Sequence, residues 1–210
     1  MESTVWDKIY KEYKNGGKAW YTLSRGLDKD FMDFVEPTKF PVDKAFDVGF
    51  GTGHYLVWLK AKGWEVSGID SSQTAHKIAS EAVDQNNLIL GSAYDYSIPK
   101  NTYGLIFSIH AIHHGFKSQI EKALDSVYKG LVEGGWIYLT LPKDMQILDW
   151  ETHKGSRLLA PGTHAPTEGP EKGLPHSFYN ESEIKETFSQ YSKLRYRIGE
   201  RGGWVITARK

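Results

Sequence analysis

The stretch Ala45–Leu59, AFDVGFGTGHYLVWL, constrains the fold more than any other part of the chain. An apolar run is broken by Asp47, glycine stands at every second position from Gly49 to Gly53, and an amphipathic pattern follows. A buried strand that passes through a glycine turn into a helix start opens a parallel α/β unit. Ligands bind at such turns, because glycine lets the backbone come close and a helix N-terminus presents free N–H groups. The spacing argues against two common cases. A dinucleotide fingerprint, G-x-G-x-x-G, needs glycine where His54 stands, and a phosphate P-loop needs a lysine that does not follow. An acid just before the first glycine suits a cationic ligand better than a pyrophosphate.

The remaining chain alternates. Val5, Trp6, Ile9, Tyr10 and Tyr13 share a helix face, stopped by Gly16-Gly17, and a second helix through Phe31 ends before Pro37. Together they are expected to form a helical cap over 1–40. WEVSGI, NLILG and YGLIFSI read as strands, the last apolar throughout and so buried on both faces. A helix capped by Ser71 or Ser72 lies between the first two. Another, with Ile120, Leu124 and Val127 on one stripe, leads through Gly134-Gly135 into the strand WIYLTL. The stretch 143–177, rich in proline and glycine, is expected to be an irregular lid over the ligand crevice. Asn180 and Glu183 form a capping box, and LRYRI and WVITA flank GERGG as a hairpin. The expectation is one domain over 1–210, with a sheet parallel through WIYLTL and closed by an antiparallel edge.

The glycine turn resembles the first motif of the class I, seven-strand S-adenosylmethionine-dependent methyltransferases, and the resemblance continues in order to Pro142. It implies an α/β fold: a Rossmann-like, doubly wound, mostly parallel seven-stranded sheet with an antiparallel C-terminal hairpin strand and helices on both faces. The implied cofactor is S-adenosyl-L-methionine, and the implied reaction is methyl transfer to an acceptor by in-line displacement. Gly49, Phe50, Gly51 and Gly53 would form the cofactor loop, with Asp47 toward its ammonium group. GWEVSGIDSS resembles the second strand, whose closing acid, here Asp70 with Ser71 beside it, accepts hydrogen bonds from the ribose hydroxyls. GSAYDYSIP resembles the turn that meets adenine. The family commonly has Asp where Ser92 stands, so Asp95 or the backbone at Ala93 and Tyr94 is left to make that contact. Ser108, Ile109 and His110 would lie beneath the methionine half.

Each residue also has a plainer role. Asp47 could stabilise the helix start, and Asp70 could cap the next helix. HAIHH supplies His110, His113 and His114 just past a strand end. His114, and with it His113, is the candidate general base; the alternative is packing beneath the substrate. A metal site would need a third ligand, which His164 or His176 of the lid could supply, and usually carboxylates. Paired histidines at this turn occur without metal in many small-molecule members of the family that the chain resembles, so no metal is expected. The aromatics of the first helix read as its packing face, which leaves Trp20 and Tyr21, with His176 of the lid, as candidate substrate contacts.

Composition narrows the partners. The 210 residues carry 26 basic and 26 acidic side chains, so no broad basic face invites nucleic acid. Arg195, Arg197 and Arg201 read as charge protecting an edge strand. There is no cysteine, and no apolar run approaches the ~20 residues of a membrane helix. The charged start is unlike a secretory signal. A cytoplasmic enzyme acting on a small molecule is expected, without nucleic acid or membrane, as a monomer or homodimer. The rivals are a methyltransferase of RNA or protein, and an oxidoreductase or non-catalytic binder on the same fold.

Overall fold

The computed structural model describes residues 5–15, 26–143 and 155–210. The chain begins with α1 (Val5–Lys14) and α2 (Lys29–Val35), then β1 (Lys44–Val48), α3 (His54–Ala61), β2 (Glu65–Asp70) and α4 (Gln73–Ala79). A short 3-10 turn leads into β3 (Leu88–Leu90), followed by β4 (Tyr103–Ser108), α5 (Lys117–Gly130) and β5 (Leu131–Leu141). β6 (Ser156–Ala160), β7 (Thr163–Pro166), β8 (His176–Ser177), α6 (Glu181–Thr187), β9 (Ser192–Ile198) and β10 (Trp204–Arg209) complete it.

Seven strands form one sheet in the order β3-β2-β1-β4-β5-β10-β9. β1 to β5 pair in parallel, and β10 runs antiparallel to both its neighbours. The antiparallel strand is therefore not the edge. β10 is buried along five of its six residues, whereas β9 alternates with mostly exposed positions, so the apolar strand goes inside and the charged one takes the rim. Two of the rim's arginines are engaged. Arg197 bonds Asp30 at 2.6 Å and Arg201 lies 3.8 Å from Asp28, which ties the hairpin to α2.

Apolar layers cover both faces. α5 and α6 bring Ile120, Leu124, Ile184 and Phe188 to one; α2 and α3 bring Phe31, Leu56 and Leu59 to the other. All six residues of β4 are buried, with Ile106 facing the first layer and Leu105 and Phe107 the second. That explains its unbroken apolar run, each large side chain adding roughly 1.5–3 kcal/mol. Among the described residues no helix is long and apolar enough to cross a membrane.

Three expectations change. The first two helices do not act as one cap: α2 is sunk in the second layer, with Phe31 against Phe107 and Tyr138, while α1 docks on α4. β5 does not start after Gly134-Gly135 but runs through it, absorbing the pair as a register shift against β4. The stretch after β5 is not irregular throughout: β6, β7 and β8 form a small antiparallel sheet. Ser177 anchors that sheet, its N–H donating to His113 O at 3.0 Å and its hydroxyl to Gly115 O at 2.7 Å.

Candidate functional site

A cavity of about 310 Å³ opens at the carboxyl ends of β1, β2 and β4. Around it stand Asp47, Gly49, Phe50 and Gly51 of the first turn, Asp70 and Ser71 of the second, Ser92, Ala93 and Tyr94 of the third, and Ile109, His110 and His114 of the fourth. Four turns distant in sequence meet because parallel strands put all their carboxyl ends on one side.

Asp47 is 2% exposed, and burial drives its carboxyl well above the usual range, with the charge of Asp70 adding to the rise. Burial raises Asp70 as well, opposed by N–H donors. Its Oδ2 accepts from Gly51 N–H and its Oδ1 from Ser72 N–H, both at 2.8 Å. Asp70 thus clasps the glycine loop and precedes the true cap of α4, Ser72, whose hydroxyl accepts from Ala75 N–H. Among the described residues no lysine or arginine pairs with either carboxylate. Two acids at one cavity, Asp47 buried and Asp70 half-buried, without such a partner favour a cationic ligand.

The glycines serve the protein's own packing too. Gly49 has φ +87°, and a Cβ there would fall inside 3.0 Å of the Ala111 methyl, a separation real Cβ atoms essentially never show. Gly51 lies beneath the Tyr10 hydroxyl, 2.5 Å from where its Cβ would be. Gly53 caps α3 and does not line the cavity. Ser108 is also set back: its hydroxyl donates to Val48 O at 2.7 Å and accepts from Ile112 N–H at 3.1 Å, bracing β1 to the fourth turn. The Ser92 hydroxyl accepts from Tyr94 N–H at 3.2 Å, so it shapes its own turn. Asp95 pairs with Lys122 in solvent, away from the cavity, whereas Ala93 and Tyr94 line it.

The histidines divide. His110 takes a left-handed backbone (φ +53°), its N–H donates to Thr140 Oγ1 at 2.7 Å, and its ring is aimed at Asp28, 3.9 Å away. His114 lines the cavity, with Nδ1 2.9 Å from Ala111 O. Burial pushes it well below the usual imidazole value, and the positive charge of His113 and His176 adds to that. His113 and His176 are buried behind it. Ring centroids lie 3.8 Å (His113–His114) and 4.7 Å (His114–His176) apart, and His176 Nε2 is 2.8 Å from the buried Glu171 Oε2. The lid residue that lines the cavity is Leu174, not His176.

Trp20 and Tyr21 lie outside the described residues. The aromatics that do line the cavity from the N-terminal side are Trp6 and Tyr10, which the helix pattern assigns to packing. Trp6 stands edge-on to His114 at 4.6 Å. Asp7 holds α1 there: its Oδ1 accepts from Thr74 N–H and Thr74 Oγ1, both at 2.8 Å, and from Ser72 Oγ at 3.2 Å. His54 also lines the cavity, opening α3 directly after the glycines, a residue that the family motifs do not single out. Its position was the available signal.

Residues 46–139 match a family model described as a methyltransferase domain. The sequence of this region is that of a methyltransferase domain, set in the seven-strand fold that S-adenosylmethionine-dependent methyltransferases share. The chain is 32% identical to the phosphoethanolamine N-methyltransferase of Plasmodium falciparum over 126 residues, 57% of this chain and 47% of that protein. The chain spans less than half the length of the curated relatives it matches. In fold it resembles an S-adenosylmethionine-dependent methyltransferase of Thermotoga maritima, with 14% identity, a TM-score of 0.67 and 98% of each chain covered. It also resembles the 1,6-didemethyltoxoflavin-N1-methyltransferase of Burkholderia thailandensis, solved with 1,6-didemethyltoxoflavin and S-adenosylhomocysteine. That likeness has 14% identity and a TM-score of 0.59, and covers 80% of this chain and 70% of that one.

Proposed function

We propose that the protein transfers the methyl group of S-adenosylmethionine to a small-molecule acceptor in the cytoplasm. The observation that carries this reading is the pair of carboxylates, buried Asp47 and half-buried Asp70, facing one cavity across a glycine turn with no lysine or arginine partner among the described residues. A ligand with a positive centre and a sugar diol matches that pair; the same turn without a cation would leave two raised carboxyls facing each other.

When bound, the cofactor supplies the electrophilic methyl, so the protein's work is orientation and exclusion of water. Asp70 holds the ribose end and Asp47 the ammonium end. The backbone at Ala93 and Tyr94 is placed for the adenine. Trp6 and Tyr10 from α1 and Leu174 from the lid narrow the opening, which suits an acceptor small enough to be enclosed. His114 is the imidazole that reaches the acceptor's side of the cavity. No lysine or arginine lines the cavity among the described residues, so the phosphate group of the Plasmodium enzyme's substrate has no evident counterpart here. Aromatic, imidazole and carboxylate walls favour a flat, neutral or cationic acceptor.

The test is ligand choice. S-adenosylhomocysteine is expected to raise the melting temperature and NAD to leave it unchanged. Asp70→Ala removes charge-assisted bonds of about 1.5–3 kcal/mol each, so affinity by calorimetry falls on the order of 100-fold. The isosteric Asp70→Asn keeps the shape of the loop and separates lost recognition from lost structure. A melting temperature that responds to NAD but not to S-adenosylhomocysteine would sink the reading.

A further inference from the structure

We propose that His113, His114 and His176 hold a divalent transition-metal ion, Zn²⁺ by chemistry, at the wall of the cavity. The three rings come from the turn after β4 and from β8, and one candidate ligand nitrogen from each lies within 4.8 Å of the others. His113 and His176 are 7% and 1% exposed. His114 and His176 each set Nδ1 2.9 Å from a backbone carbonyl, Ala111 O and Leu174 O. In His114 an Nδ1–H donated to the carbonyl fixes the tautomer and leaves Nε2 with the lone pair, the usual outer support of a metal-binding histidine. His176 instead meets acceptors at both nitrogens, Leu174 O and Glu171 Oε2, so that the ion displaces the proton held between Nε2 and Glu171.

Glu171 adds a second kind of donor. It is 2% exposed, and its Oε2 stands 2.8 Å from His176 Nε2. Ligands at neighbouring positions on one small cation stand about 3 Å apart, so this pair already has the required spacing. Drawing the histidines in from 4.8 Å to the about 3.3 Å expected around a four-coordinate ion takes about 1.5 Å of side-chain adjustment. Three imidazoles with one carboxylate select Zn²⁺, Ni²⁺, Cu²⁺ or Fe²⁺ over Mg²⁺ and Ca²⁺. His164 is not part of the set: it sits on β7 with Nδ1 3.0 Å from Ser156 Oγ.

The cluster opens in one direction. His114 lines the cavity while His113 and His176 stand behind it. With Glu171 as the fourth ligand, the side toward the cavity leaves a fifth position for substrate, an expansion that zinc sites make. The role rests on the methyl-transfer reading: the ion holds a lone pair of the acceptor and so selects acceptors bearing a hydroxyl or an amine. Binding of the ion itself does not depend on that reading.

The experiment uses the full chain, stripped with a chelator and titrated with Zn²⁺ in calorimetry and with Co²⁺ in visible spectroscopy. One equivalent is expected, with the intense visible bands of four- or five-coordinate Co²⁺. His113→Asn and His176→Asn are expected to weaken binding at least tenfold, and His164→Asn to leave it unchanged. Binding of S-adenosylhomocysteine, measured in parallel, reports that each variant is folded. Absence of stoichiometric binding by the parent protein overturns the proposal whatever the variants do. So does binding that survives the His113→Asn/His176→Asn double change. Metal binding without S-adenosylhomocysteine binding upholds the site and overturns the methyltransferase reading instead.

Discussion

Replacing Gly49 by alanine adds two separate penalties that the structure makes measurable. The first is conformational. Gly49 lies at φ +87°, beyond the centre of the left-handed basin, where an L-residue loses about 1–2 kcal/mol. The second is steric. The new methyl would fall inside 3.0 Å of the Ala111 Cβ. Ala111 is not the far end of a flexible chain but part of the turn carrying His110 and His114. Overpacking of this kind costs about 1–3 kcal/mol. Gly49→Ala is therefore expected to destabilise by about 2–5 kcal/mol in urea unfolding. It should also weaken S-adenosylhomocysteine, because it pushes two cavity walls apart. Ala111→Gly in the same chain removes the overlap and leaves the strain. The double-mutant cycle should return a favourable coupling of about 1–3 kcal/mol. A single variant within about 0.5 kcal/mol of the parent, or a coupling near zero, would refute the claim that the turn is packed against its neighbour.

Two further outcomes follow from buried polar groups. Asp7→Ala strands the donors of Thr74 and Ser72 that now meet its carboxylate, a loss of about 1–3 kcal/mol. Hydrogen exchange should show α1 opening while the sheet stays protected, and equal protection of α1 in both proteins would count against its docking role. Partial burial, with the charge of Arg201 adding to it, pushes the half-buried His54 down to about 4 from an ordinary 6.5. The native state therefore binds fewer protons between those values, so this group's stabilisation is full above 6.5 and is lost as pH falls toward 4. The gap amounts to at most about 3 kcal/mol. Asp47 and Asp70, both raised, act in the opposite sense. The test is thus the difference between parent and His54→Gln in unfolding free energy at pH 7 and pH 4.5, and a difference independent of pH would exclude the effect.

Local chemistry in the sequence was enough for most elements. The apolar run of β4, the serine cap before α4, the Asn180–Glu183 box and the glycine turn after β1 each depend on residues a few positions apart. Hydrogen-bond geometry and side-chain period read out such neighbours directly. The same locality made the carboxyl-end turns legible as one site, because parallel strands leave no choice about which ends meet.

What depends on remote partners was not readable. Trp6 and Tyr10 look like a packing face because helical period says that a face is buried, not what covers it; Asp7, reaching Thr74 and Ser72, decides that. Ser108 looks like a ligand contact and proves to be a brace between strands. β10 enters the sheet ahead of β9 only because burial on both faces outweighs chain order. His176 joins His113 and His114 through the register of the small lid sheet, while His164, close by in sequence, stays with Ser156. The sequence determined the kind of fold and the ends at which a ligand sits, since these follow from backbone bonding and hydrophobic period. Only the tertiary structure decided which side chains close the cavity, because contacts between distant segments are set by packing and carry no local signature.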